Sequence, residues 1–124
     1  MGKINSFKDL DVYKVAYEAV LEIHEITKLF PAEEKYALTD QIRRSSRSVC
    51  ANIAEAWRKR RYPENFISKL SDVEAEATET QVWLDLSKSF GYLEAEIHAK
   101  LFDQYEHIIA MLIIMSNNSN KWTL

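Results

Sequence analysis

The sequence predicts an all-α fold in which four helices pack as an antiparallel up-down-up-down four-helix bundle. The length of 124 residues suits a single domain. Glycine and proline occur only twice each, whereas strands and tight turns use these residues heavily. Apolar residues recur at helical spacing in four segments joined by short connections. We expect one domain over residues 1–124, with a frayed tail at 116–124.

The first helix follows the segment "NSFKDLD". Ser6 and Asp9 stand three residues apart, which is the spacing of a capping box at a helix start. Pro31 disfavours helical backbone at Phe30, so we expect this helix to end there. Its apolar positions are Leu10, Tyr13, Tyr17, Val20, Leu21, Ile23 and Ile26.

The second helix is predicted from about Glu33 to about Arg60. A helical wheel divides its residues into three sets. The core face comprises Leu38, Ile42, Val49, Ile53, Ala56 and Trp57. The basic edge comprises Arg43, Arg47, Arg58 and Arg61, with Arg44 beside it. The polar stripe comprises Gln41, Ser48, Asn52 and Glu55.

The third and fourth helices are separated by a glycine. Pro63 suits the first position of the third helix, and Gly91 suits the position just after its end. The fourth helix is predicted from about Glu94 to about Met115. Its apolar face comprises Ile97, Leu101, Tyr105, Ile108, Leu112 and Met115.

Charge is unevenly distributed along this chain of net charge -3. Residues 1–62 carry 12 basic and 9 acidic side chains, and residues 63–124 carry 4 and 10. Two explanations remain open for the arginines of the second helix. They form salt bridges to the acidic third helix, at Glu76 or Glu79, or they contact a polyanion such as a nucleic acid. The candidate nucleic-acid-binding residues are Arg43, Arg44, Arg47, Arg58, Lys59, Arg60 and Arg61.

No pattern of catalytic or metal-binding residues is found. A di-metal site in a helical bundle uses Glu-x-x-His, but none of the three histidines has glutamate three residues before it. Two glycines could hardly form a phosphate-binding loop. We therefore expect no enzyme activity, no metal and no cofactor.

The remaining features predict a cytoplasmic protein without a membrane segment. Cys50 is the single cysteine, which excludes an internal disulfide and suits a reducing compartment. Its position near the core face predicts a buried, inert thiol. The N-terminus has no apolar signal region. The longest apolar run, residues 108–115, is too short for a bilayer, which needs about twenty residues.

Three blocks of the sequence resemble one known family. "FKDLDVYKVA" (7–16) resembles the opening of the four-helix-bundle family of 23S rRNA-intervening-sequence proteins. "FPAEEKYALTDQIRRSSRSVCANIAEAW" (30–57) is similar to its longest signature, and "EATETQVWLDLSKSFGYL" (76–93) to a third block. The family usually has glycine after Asn-Ile-Ala-Glu, where this chain has Ala56 and Trp57. We therefore expect the helix to continue unbroken there.

The resemblance implies a four-helix protomer in a ring-like homo-oligomer, with a pentamer known in the family. Some relatives are encoded inside rRNA intervening sequences, and a similar bundle is an RNA-binding accessory of a reverse transcriptase. It implies no catalytic role. The positions that match the family are Gln41, Arg43, Arg44, Ser48, Asn52, Glu55, Glu79 and Gln81. We expect the uncharged and acidic ones among them, which are Gln41, Ser48, Asn52, Glu55, Glu79 and Gln81, to serve a helix or protomer interface.

Two hypotheses for function follow. The first is a homo-oligomeric module that binds RNA through the basic residues of the second helix. The second is a protein–protein scaffold or accessory subunit in which the arginines form salt bridges within or between protomers.

Overall fold

The protein is all-α, as the sequence predicts. A computed structural model describes residues 3–124, and that range contains no β-strand. None of its helices is at once long and apolar enough to pass through a membrane. The helices are α1 (Asp11–Thr27), α2 (Leu38–Arg58), α3 (Pro63–Ser89), α4 (Ala95–Asn117) and the short α5 (Ser119–Trp122).

The four long helices enclose one apolar core. α2 packs against α1 and α3, and α4 also packs against α1 and α3, so each long helix has two long neighbours. The apolar face predicted for α4 lines this core, where Leu101, Tyr105, Ile108 and Leu112 are fully buried. Burial of such side chains stabilises the fold by roughly 1.5–3 kcal/mol each.

The predicted capping box is present, but it lies one turn ahead of α1. Ser6 Oγ accepts a hydrogen bond from the Lys8 amide at 3.1 Å, and Asp9 Oδ2 accepts one from the Ser6 amide at 3.1 Å. These bonds close a 3-10 turn at Phe7–Asp9. α1 begins after it, at Asp11.

The connection between α1 and α2 is longer than the sequence suggests. α1 ends at Thr27 rather than Phe30, and α2 begins at Leu38 rather than near Glu33. Ala32–Glu34 form a 3-10 turn, and Ala37 has a non-helical backbone (φ -123°, ψ -106°) that separates it from α2. Glu34 Oε1 then accepts a hydrogen bond from the Leu38 amide at 3.3 Å, which satisfies a donor at the helix start.

The end of α3 is a Schellman motif built on Gly91. The Gly91 amide donates to Lys88 O at 3.0 Å, and the Tyr92 amide donates to Ser87 O at 2.9 Å. Gly91 has φ +81°, a left-handed conformation that costs other residues free energy. Pro63 occupies the first turn of α3, as predicted.

The tail is not frayed, contrary to the expectation for residues 116–124. α4 continues to Asn117 and α5 follows it. Trp122 packs against the core, and the Leu124 amide donates to Arg60 O at 3.0 Å. An apolar ring and a backbone hydrogen bond therefore hold a segment whose composition suggests disorder.

We predict that Gly91→Ala lowers the free energy of unfolding by about 1 kcal/mol, because alanine at this φ is strained. A Cβ at this position meets no atom within 4 Å, so a steric clash does not contribute. Urea denaturation measures the effect. Gly91→Asn is the matched control and should lose less, since asparagine tolerates this conformation better. Equal stability of Gly91→Ala and the wild type would contradict the prediction.

Candidate nucleic-acid interface

The core face of α2 determines where its basic residues lie. All six residues predicted for that face are at most 7% exposed. The burial of Ile42, Val49 and Ile53 against the neighbouring helices fixes the rotation of α2 about its own axis. Arg43 and Arg47 of the basic edge are consequently turned toward α1, and Glu55 of the polar stripe is turned toward α3.

Arg43 binds the C-terminal end of α1. Its Nε donates to Thr27 Oγ1 at 2.8 Å, and its Nη2 donates to the His24 carbonyl at 3.4 Å. Thr27 is itself buried and donates to Ile23 O at 2.6 Å. A cation at this place suits the negative end of the helix dipole. The half-buried Arg43 side chain is thus committed to a contact within the protein.

Arg44 and Arg47 lie on the surface near the same end of the molecule. Arg44 Nε forms an ion pair with Asp40 Oδ2 at 3.2 Å on the same helix. Arg47 Nη2 lies 3.4 Å from His24 Nδ1 of α1.

The proposed salt bridges within the chain from Arg43 and Arg47 to the acidic third helix are therefore wrong. Both arginines contact α1, because the basic edge of α2 faces away from α3. The acids named for this pairing, Glu76 and Glu79, instead lie close to each other. Burial, followed by the charge and hydrogen bond of Glu79, raises the pKa of Glu76.

Four consecutive basic residues lie at the other end of α2. Arg58, Lys59 and Arg61 are exposed. The Arg60 guanidinium lies over the Trp57 ring, 3.4 Å from its centroid, and its Nε donates to Trp57 O at 2.8 Å. Burial, and then the charge of Arg58, lowers the pKa of Arg60. Arg58, the last residue of α2, is about 22 Å along the helix from Arg43, at 1.5 Å per residue.

Lys121 of α5 joins this cluster, and sequence reasoning missed it because the tail was expected to fray. Arg60 and Lys121 line the same cavity. We call Arg58, Lys59, Arg60, Arg61 and Lys121 the basic end. Within residues 3–124, none of the five forms an ion pair with a carboxylate. Their positive charge is therefore not neutralised by a direct partner in that range.

The residues assigned to an interface lie mainly on the α2 and α3 surfaces. Gln41 is exposed, and Asn52 Nδ2 donates to Ser48 Oγ at 2.9 Å within α2. Glu55 forms an ion pair with Lys69 of α3 at 3.1 Å. Glu79 is half-buried beside Glu76.

Two buried polar side chains of α3, Thr80 and Gln81, form hydrogen bonds with neighbouring helices. Gln81 Nε2 donates to Phe102 O at 3.3 Å and to Glu106 Oε1 at 3.1 Å, both on α4. The buried hydroxyls of Ser45 and Thr80 lie 2.8 Å apart and hydrogen-bond across α2 and α3. The Ser45–Thr80 pair was not singled out in the sequence, because small hydroxyl residues occur equally on exposed faces.

Burial has its largest effect on two titratable groups: Cys50, which is only partly buried rather than buried as predicted, and Tyr105. Burial raises the pKa of the Cys50 thiol to about 11, so it carries little of the reactive thiolate at neutral pH. Tyr105 is fully buried, its hydroxyl has no hydrogen-bond partner within residues 3–124, and burial raises its pKa. No group of three or more His, Cys, Asp or Glu residues in that range is arranged to hold a metal ion.

Comparison with known proteins identifies the family. The family model described as "23S rRNA-intervening sequence protein" matches residues 8–114. This chain belongs to that family. A crystal structure of a protein of unknown function from the S23 ribosomal protein family of Bacteroides thetaiotaomicron is similar, with a TM-score of 0.77 and 30% identity. The match covers 86% of this chain and 99% of that one. No curated protein matches the chain.

Among 23S rRNA-intervening sequence proteins, this chain departs from the usual glycine after Asn-Ile-Ala-Glu. α2 passes without a break through Ala56 and Trp57, and both side chains are buried. Trp57 then provides the ring on which Arg60 lies. The departure from the family pattern therefore builds part of the basic end.

We predict that Arg43→Ala lowers the free energy of unfolding by about 1–3 kcal/mol, because it removes a charged hydrogen bond from a largely buried Thr27. Thermal and urea denaturation measure the change. Arg44→Ala is the matched control, and loss of its exposed ion pair should cost less than about 0.5 kcal/mol. If both variants lose the same amount, Arg43 has no special role at the end of α1.

Proposed function

We propose that the chain is a non-enzymatic, cytoplasmic four-helix bundle that self-associates and binds RNA through its basic end. In this proposal the four long helices alternate in direction. The end of the bundle that carries the basic end then comprises the start of α1, the end of α2, the start of α3 and the end of α4. The function therefore depends on charge at one end of the bundle.

Side-chain contacts between helices support the alternating directions. Arg43 at the start of α2 reaches Thr27 at the end of α1, and Glu55 near the end of α2 reaches Lys69 near the start of α3. Asp85 near the end of α3 lies 2.6 Å from His98 near the start of α4. Lys100 near the start of α4 pairs with Glu22 near the end of α1 at 3.2 Å.

The observation that carries the RNA proposal is the unpaired charge of the basic end. Ion pairs at a surface contribute typically less than about 1 kcal/mol, so stability gives little reason to gather five cations. Arg58, Lys59 and Arg61 are exposed and lack carboxylate partners within residues 3–124. Phosphate groups are natural partners for such a cluster, because each contact releases counterions from the polyanion.

The resemblance to an RNA-binding accessory bundle makes RNA the polyanion that we choose. Self-association would multiply the basic end, because several copies in one assembly can contact one RNA strand together. Such multivalent binding raises overall affinity without any new kind of contact. A ring of protomers, as the resemblance implies, would bind RNA multivalently even though each protomer contributes only one basic end.

We predict that the chain binds mixed-sequence RNA at low salt and releases it as salt rises. Replacement of Arg58, Lys59 and Arg61 by alanine should weaken binding and reduce the slope of log affinity against log salt by about two to three. Fluorescence anisotropy with a labelled RNA, titrated at several salt concentrations, measures both effects.

The matched control replaces Lys28, Lys35 and Lys88 by alanine. These exposed lysines lie near the opposite end, and the change in net charge is the same. The control should bind nearly as well as the wild type. Absence of RNA binding at low salt, or equal losses in both triple variants, would exclude this role for the basic end.

A protein–protein scaffold is the second candidate, and the exposed apolar residues of α1 favour it. Tyr17 is 50% exposed and Leu21 is 53% exposed, one helical turn apart. The Tyr13 ring lies next to the Tyr17 ring, with a centroid distance of 5.9 Å and an angle of 38° between the ring planes. An apolar strip of this kind suits a contact with another protein or another copy of the chain.

We predict that Tyr17→Ser with Leu21→Ser lowers the molar mass of the assembly measured by light scattering, because the exposed apolar contact is lost. Ile67→Ser with Val82→Ser is the control, since these residues are exposed apolar positions on α3. A wild-type chain that is monomeric would exclude self-association. An assembly that loses mass while RNA affinity is unchanged would favour the scaffold.

A further inference from the structure

A cavity at the basic end combines positive charge with aromatic rings. Its volume is about 360 Å³, and its lining residues are Ile4, Trp57, Arg60, Lys121 and Trp122. The lining contains two cations and no carboxylate among the described residues.

Arg60 is held in place on one side of this cavity. Its guanidinium lies over the Trp57 ring, and its Nε is bound to the Trp57 carbonyl. Its backbone carbonyl accepts the hydrogen bond from Leu124, which joins the tail to the end of α2. A cation fixed in this way loses less side-chain entropy when it binds an anion.

Trp122 brings an aromatic ring to the same cavity from a distant part of the sequence. It is partly buried against the core, and it also borders a second, largely apolar cavity of about 460 Å³. Leu10, Met111 and Met115 are among the residues that line the second cavity. The ring is therefore supported by apolar contacts and still borders open space.

We propose that this cavity binds one unpaired nucleotide of an RNA strand, with the phosphate at Arg60 and Lys121 and the base against Trp122. The chemistry recognised is a nucleoside phosphate, because the cavity offers cations for the phosphate and an aromatic surface for the base. The proposal rests on the RNA-binding function above and adds a preference for single strands. A base inside a duplex is stacked on both faces and cannot reach the ring.

The test measures the affinity of the 124-residue chain for two RNAs of one sequence. A labelled single-stranded 12-mer and the corresponding blunt duplex are titrated by fluorescence anisotropy. Trp122→Ala should weaken binding of the single strand by about 5- to 150-fold, the range found for the loss of one base–aromatic stack. It should leave duplex binding within about twofold, since the exposed cations remain.

Two variants separate stacking from folding. Trp122→Phe keeps an aromatic ring and should bind the single strand nearly as well as the wild type. Lys121→Gln should reduce the salt slope for the single strand by about one, while Lys88→Gln at the opposite end should not. Circular dichroism establishes that each variant is helical.

Free ligands test the same chemistry without a strand. AMP should displace the labelled single strand at several-fold lower concentration than inorganic phosphate, because only AMP has a base to stack. Equal displacement by AMP and phosphate would overturn the proposal, as would wild-type binding of the single strand by Trp122→Ala. Equal losses for both RNAs would overturn it too.

The outcomes also distinguish the nucleotide site from the more general proposal that the basic end binds RNA. If the wild type binds both RNAs equally and Trp122→Ala changes neither, the nucleotide site is excluded while RNA binding by the basic end stands. If the wild type binds neither RNA, both proposals fail.

Discussion

The apolar face of α2 has a long helix on each side, because α2 packs against both α1 and α3. Full burial of Ile42, Val49 and Ile53 leaves α2 only one rotation about its axis. That rotation turns Arg43 and Arg47 toward α1 and Ser45 toward α3. The contacts of Arg43 with Thr27 and of Ser45 with Thr80 both depend on it.

The basic residues of α2 consequently divide into two groups with different surroundings. Arg43 is half-buried at the end of α1, and Arg44 has a carboxylate partner on its own helix. No residue of the group at the far end forms an ion pair with a carboxylate within residues 3–124. One sequence feature, a run of arginines on one edge, therefore serves packing at one end of the helix and leaves charge available at the other.

The helical periodicity of the sequence was sufficient to predict the four long helices and the core face of α2. The residues of that face recur with the 3.6-residue period of an α-helix, and this period alone predicts which of them are buried. Pro63 and Gly91 were equally predictable, because the backbone restrictions of these two residues are local. The sequence places the start of α2 too early. Ala37 has a non-helical backbone conformation, and no residue type near it indicates that the helix is interrupted there.

The composition of the candidate site could be predicted only in part. The four basic residues after Trp57 are consecutive and therefore visible in the sequence. Lys121 is separated from Arg60 by sixty positions, and the packing of Trp122 together with the Leu124–Arg60 hydrogen bond brings them to one cavity. Likewise, the role of Arg43 depends on the register of α1 against α2. A wheel drawn for one helix contains no information about that register.

The hydrogen bond from Leu124 to Arg60 has a practical consequence for handling the protein. Any peptide fused after Leu124 would begin beside the basic end, where it could cover the cations or add its own charge. Ile4 borders the cavity in the same region, together with Trp122. An affinity tag joined to Leu124 should therefore be cleaved before any ligand is titrated.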